Sequence, residues 1–219
     1  DALNIVLNNG EYDITNISSI TGKITYSGGI ITADDGTEVY QYRYEGYQSK
    51  LSTTGGTASL QYLSDRAVYV ANEGATVLID YLDGTNMELE NGKITEIYAD
   101  STIILAEGSS FKSNDEETSV ALETAGTYTI NGMTINTTTD AVEITPDNYE
   151  SIIYNGVVYT TAEGDVVLTF NEDGTATLSS GAIKIEAEGL GEYAATYLIV
   201  NNNPITFTAT NNGEALIIS

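Results

Sequence analysis

Ten dipeptides that accept a positive φ punctuate the chain: Asn9-Gly10, Gly28-Gly29, Asp35-Gly36, Gly55-Gly56, Asp83-Gly84, Asn91-Gly92, Asn131-Gly132, Asn155-Gly156, Asp173-Gly174 and Asn212-Gly213. Tight hairpins need such pairs, because their turns twist with the flanking strands only when the backbone enters the left-handed region. Between the turns, apolar and polar residues alternate, as over 166–170, 175–178 and 182–188. That period of two is the mark of half-buried strands. No stretch carries the i, i+3, i+4 apolar spacing of an amphipathic helix over ten or more residues. The one helical expectation is 115–123, where Asn114 is placed to cap and Glu116 and Glu117 suit a first turn. Pro146 and Pro204 are the only prolines that interrupt the chain.

Superimposed on this pattern is an echo at an offset of 158 − 68 = 90 residues. Residues 68–85 read VYVANEGATVLIDYLDGT and residues 158–175 read VYTTAEGDVVLTFNEDGT, identical at nine of eighteen positions. After one deleted residue the match continues, setting Leu89, Gly92 and Ile94 against Leu178, Gly181 and Ile183. A period near 90 exceeds one solenoid coil and approaches one small β-sandwich. The expected fold is therefore all-β, an antiparallel β-sandwich-type architecture with an internal duplication. The alternative is a continuous β-solenoid whose rungs arose by copying a block of strands. The expected organisation is an N-terminal strand region at 1–29, suited to linking subunits, a first β repeat at 30–117 and a second at 118–219.

Composition removes most chemistry. There is no cysteine, histidine or tryptophan, so disulfides, thiolates, imidazole acid–base work and the usual zinc sites are excluded together. A serine or threonine nucleophile lacks its usual base, and no G-x-S-x-G motif is present. Paired carboxylates of the glycosidase kind are abundant, but no motif singles out a pair. The expectation is a protein that is not an enzyme. A formal charge of −25 repels phosphate backbones and anionic bilayers, which argues against nucleic acid as a partner. No apolar run approaches the length that crosses a membrane as a helix, so insertion of that kind is not expected.

The same acidity makes calcium the candidate cofactor, since it takes several carboxylate and carbonyl oxygens. Asp34, Asp35, Asp83, Asn171 and Asp173 lie in the acidic loops best suited to it, although none matches an EF-hand. Asp83-Gly84 and Asp173-Gly174 hold equivalent positions in the echo and also fit a plain hairpin turn. Tyr40, Tyr42 and Tyr44 fall on one face of a strand, with Tyr47 beyond, and form either a sugar platform, a subunit interface or a row packed on the core. Lys23 and Lys184 sit within strands, either on a solvent face or placed for a lysine–asparagine cross-link.

The echo and the Thr-, Asn- and Gly-rich, cysteine-free strands resemble bacterial cell-surface β-strand-repeat proteins, a group of adhesins and extracellular filament subunits. The resemblance implies an extracellular or cell-surface structural protein whose partners are copies of itself, assembled into a filament or surface layer by terminal strand exchange. Leu3, Ile5, Leu7, Leu216 and Ile218, in the apolar ends, are the candidate subunit contacts. The alternatives are a carbohydrate-binding or adhesive module with glycans as partners, and a viral coat or decoration protein.

Overall fold

The computed structural model describes residues 5–8, 11–14, 24–27, 30–33, 36, 38–42, 48–62, 66–72, 74–81, 86–90, 94–98, 103–114, 118–190 and 195–219. Side-chain surroundings are described at 36, 52–59, 68–72, 74–78, 86–90, 103–114, 118–190 and 195–219. Every regular element among the described residues is a strand. The chain is all-β, as its turn chemistry requires. It divides into two compact units, residues 1–105 with 109–111, and residues 106–108 with 112–219.

The first unit contains β1 (Ile5–Asn8), β2 (Glu11–Ile14), β3 (Ile24–Ser27), β4 (Ile30–Ala33), β5 (Glu38–Tyr42), β6 (Gln48–Thr54), β7 (Thr57–Tyr62), β8 (Arg66–Asn72), β9 (Thr76–Tyr81), β10 (Asn86–Glu90), β11 (Ile94–Tyr98) and β12 (Ile103–Leu105). They form two ladders. One runs β2-β1-β5-β6-β9-β10 and the other β3-β4-β7-β8-β11-β12. The chain passes between ladders at Gly55-Gly56 and again at Gly74. Both Gly55 (φ 81°) and Gly74 (φ 82°) are left-handed, and a Cβ on Gly55 would stand 3.1 Å from the Gly74 carbonyl oxygen. Tyr69, Ala71, Val77, Met87 and Leu89 are among the buried side chains.

β13 (Ser110–Ser113) crosses the division. The second unit continues with β14 (Val120–Leu122), β15 (Gly126–Ile130), β16 (Met133–Thr137), β17 (Val142–Asp147), β18 (Ser151–Tyr154), β19 (Val157–Phe170), β20 (Ala176–Ala187), β21 (Ala195–Ile199), β22 (Ile205–Phe207), β23 (Ala209–Asn211) and β24 (Leu216–Ile218). Residues 118–122, where the sequence suggested the end of a helix, contain the strand β14 instead; Val120 and Leu122 are buried and pair with Ile144 and Val142 of β17. Burial of alternate apolar residues outweighs the capping signal at 114–117. Asp115, Glu116 and Glu117 lie outside the described residues. Pro146 sits inside β17 rather than ending it, opposite Ile152 of β18. Its missing N–H is tolerated because, among the described residues, that half of β17 is paired on one side only.

The centre of this unit is the long hairpin β19–β20. It bends at Gly164 (φ 70°) and Gly181 (φ 76°), where its register shifts between residues 161 and 168. A Cβ on Gly181 would lie 2.8 Å from the Asp165 carbonyl oxygen, so only glycine permits the two strands to turn the corner together. The bend brings the hairpin's arms against each other. Phe170, at the end of one arm, lies 4.2 Å from the Tyr154 ring and 5.8 Å, edge-on, from Tyr159 at the start of the other. On the same two strands, β19 and β20, Val166, Leu168, Leu178, Ile183 and Ile185 are each almost wholly buried. β18 and β21 flank the first arm; β16 and β22 flank the second. The β16–β19 contact is parallel, as is β1–β5 in the first unit, whereas the other pairs of the two ladders and of the long hairpin are antiparallel.

Two asparagines stitch the ends. Asn131 (φ 47°) begins a mirror-image turn with Gly132 (φ 78°), and its buried amide bonds the Ser113 backbone in both directions and donates to the carbonyls of Asn148 and Ser151. Asn211 donates to the carbonyls of Gly156 and Glu188 at 2.9 and 3.0 Å, fixing the β23–β24 hairpin on the two turns it covers.

β8 and β9 pair with β11 and β10 in the way that the two halves of β19 pair with β20, each set forming a bent hairpin. The pairs Tyr69↔Thr95 and Asp80↔Asn86 recur at an offset of 90 as Tyr159↔Ile185 and Phe170↔Ala176. The buried face does not recur throughout. Tyr69 and Tyr159 are both buried, yet past the glycine the first hairpin buries Ala75 and Val77 while the second buries Val166 and Leu168. The local cause is the corner: a tight turn at 72–75 closed by Ala75 N–H to the Asn72 carbonyl, against a bulge through 161–167. A one-residue slip in a strand reverses every side chain beyond it. Common origin therefore remains an inference from sequence.

Candidate interaction surface

Strand β21 is the border of the second unit's first arm. Its residues Ala195, Thr196, Tyr197, Leu198 and Ile199 pair with Glu186, Ile185, Lys184, Ile183 and Ala182 of β20. Among the described residues no strand pairs with its other edge. Beyond the strand, the Val200 N–H donates to the Gly181 carbonyl at 3.1 Å. In an antiparallel ladder bonded and non-bonded positions alternate, so Leu198 and Thr196 are turned toward β20, while Ala195, Tyr197 and Ile199 direct their N–H and C=O groups outward. Tyr197 and Ile199 also have the most exposed large apolar side chains among the described residues, at 61% and 52%.

Nothing on this border repels a second strand. Residues 195–200, ATYLIV, carry no charge and no proline. The neighbouring charges on β20 cancel: Lys184 Nζ lies 2.7 Å from Glu186 Oε1. Lys184 thus joins an ion pair within its own strand, which is not the arrangement of a lysine–asparagine cross-link; Lys23 lies outside the described residues. Two other borders are guarded. β2 carries Glu11 and Asp13, and β22 is three residues long and follows Pro204.

The outer side of the second arm is different in kind. Thr127, Asn136, Thr169, Thr177 and Thr206 stand opposite one another across five strands, giving an uncharged polar row. Their side chains bond among themselves, Thr127 Oγ1 to Asn136 Oδ1 at 2.8 Å and Thr177 to Thr206 at 3.0 Å.

Of the contacts expected at the chain ends, Ile5 and Leu7 lie in β1, which is paired on both sides, with β2 and β5. Leu216 and Ile218 lie in β24, half-buried, opposite Asn211 and Ala209; between them Ile217 is 48% exposed. Leu3 lies outside the described residues. Tyr40 and Tyr42 occupy β5, opposite Lys50 and Gln48. Tyr44 and Tyr47 lie outside the described residues, as do Asp34, Asp35 and Asp83.

Asn171 and Asp173 form a hairpin turn through their own hydrogen bonds. Asp173 Oδ1 accepts from the Thr175 hydroxyl at 2.7 Å and the Thr175 N–H at 3.0 Å, and the Asn171 amide donates to the Thr175 and Thr177 hydroxyls. The Thr175 hydroxyl, then its N–H, hold the exposed Asp173 carboxyl below its ordinary pKa. Among the described residues no group of three or more acidic side chains converges on one point. Burial, with Tyr154 beside it, pushes the Tyr159 hydroxyl above its ordinary pKa, as befits a core residue.

Tyr197 and Ile199 escaped the sequence analysis because ATYLIV does not alternate strictly. The usable signal was the long uncharged run in so acidic a chain. The fold and this border define an all-β protein with an open, uncharged sheet edge. No protein-family model, curated protein or solved structure matches the chain.

Proposed function

We propose that this chain is a self-associating structural protein of the extracellular type, which joins copies of itself through open sheet edges. The observation that carries this reading is the unguarded edge of β21, five residues long and uncharged in a molecule whose formal charge is −25. Between two such acidic molecules, contact is least opposed where charge is absent and backbone groups remain to be paired. β24 offers a second border, since among the described residues it pairs with β23 alone. Two distinct borders per subunit are what a filament or layer needs, because one two-fold contact closes on itself.

Light scattering on the eluting protein at neutral pH, over rising concentration, with electron microscopy of the same samples, tests the proposal. Dimers or larger ordered assemblies that grow with concentration are expected. A monomer at every concentration contradicts it.

A further inference from the structure

We infer that two copies pair β21 to β21, antiparallel about a two-fold axis through Tyr197, so that the sheet of one copy continues into the next. The inference rests on the self-association proposed above and specifies its partner strand. β21 has five residues with Tyr197 at the centre. A two-fold there sets Tyr197 opposite Tyr197, Ala195 opposite Ile199 and Thr196 opposite Leu198.

The alternation established along β20 fixes whether this register works. Ala195, Tyr197 and Ile199 are the residues whose N–H and C=O groups face outward, following the Val200 to Gly181 bond. Pairing about Tyr197 makes all three of them hydrogen-bonded positions, so each exchanges both its bonds with the second copy. A register displaced by one residue sets inward-turned groups against outward-turned ones. The two-fold register is thus the one that satisfies the whole edge.

Side chains agree with the backbone. On the outer face the small Ala195 meets the bulky Ile199, and the two exposed Tyr197 rings meet across the axis, an aromatic cross-strand pair. The adjoining row contributes the Lys184–Glu186 ion pair from each copy, which brings no net charge to the seam. Lys184 is one of only seven basic residues in the chain, and it stands directly opposite Tyr197.

The absence of cysteine gives a clean test. Opposed hydrogen-bonded residues have Cα atoms about 5.5 Å apart, within disulfide reach. Under mild oxidation, Tyr197→Cys is expected to form a covalent dimer at least about tenfold faster than Thr206→Cys, on the guarded edge, because the paired thiols act at high effective concentration. Because Tyr197→Cys also removes the ring, a second pair keeps it: Ala195→Cys mixed with Ile199→Cys is expected to cross-link faster than either variant alone. Dimers by light scattering that fail to cross-link in both experiments overturn the β21 pairing while leaving self-association standing. Wild-type protein that stays monomeric overturns both.

Discussion

β21 and β22 flank the same strand, β20, one along each half, and they are built oppositely. β21 is five residues long, uncharged and free of proline, and it exposes Tyr197 and Ile199 beside an open backbone edge. β22 is three residues long, preceded by Pro204, and it turns Phe207 into the core. Short length and proline are ordinary means of stopping a sheet edge from recruiting another strand. Their presence on one border of a hairpin and absence on the other separates a closed side from an open one.

The largest expected effect abolishes the hairpin that carries both borders. Gly181→Ala places a methyl against the Asp165 carbonyl at a left-handed φ, and should destabilise the second unit by about 2–4 kcal/mol, read as a lower midpoint in urea. Gly164→Ala has the same φ constraint but meets nothing closer than 3.8 Å, so its cost should be about 1–2 kcal/mol. If the two substitutions cost the same, the corner is not packed as described.

Next in size are paired charges. Tyr197→Glu should weaken association about ten- to a hundredfold, because the two-fold sets like charges opposite each other, whereas Thr206→Glu on β22 should leave the dissociation constant unchanged. Sedimentation equilibrium reads both. A smaller effect sharpens the contrast from the other side: Pro204→Thr removes the guard from β22 and should add a minor fraction of species larger than dimer at the same concentration.

Smallest is a pH effect at the tip of the second arm. The native pKa of Asp173 is lowered, so its contribution is present above the unfolded value of about 3.9 and is lost as pH falls through the native one. Asp173→Asn should therefore lower the melting temperature slightly at pH 7, and the gap to wild type should close below about pH 4. An unchanged gap at low pH contradicts the assigned hydrogen bonds.

The strands and turns were legible because their chemistry is local. Asn131-Gly132, Asn155-Gly156 and Gly174 adopt the positive φ that their types promise. Asp173-Gly174 marked the turn between β19 and β20, but the echo did not show which side chains each copy buries, because that phase depends on whether Gly74 and Gly164 sit in a turn or a bulge. The border was harder to see. Ala195, Tyr197 and Ile199 become significant only once β20 has chosen its other neighbours, and that choice is a tertiary fact. The terminal apolar segments attracted notice first, although β1 is already paired on both sides.

Hydrogen exchange along β21, measured at low and high protein concentration, tests the central claim most directly. The Leu198 amide, turned toward β20, should be protected at both concentrations. The Tyr197 and Ile199 amides, turned outward, should exchange freely in dilute protein and gain protection as concentration rises. If they exchange at the same rate throughout, β21 is not where copies of this chain meet.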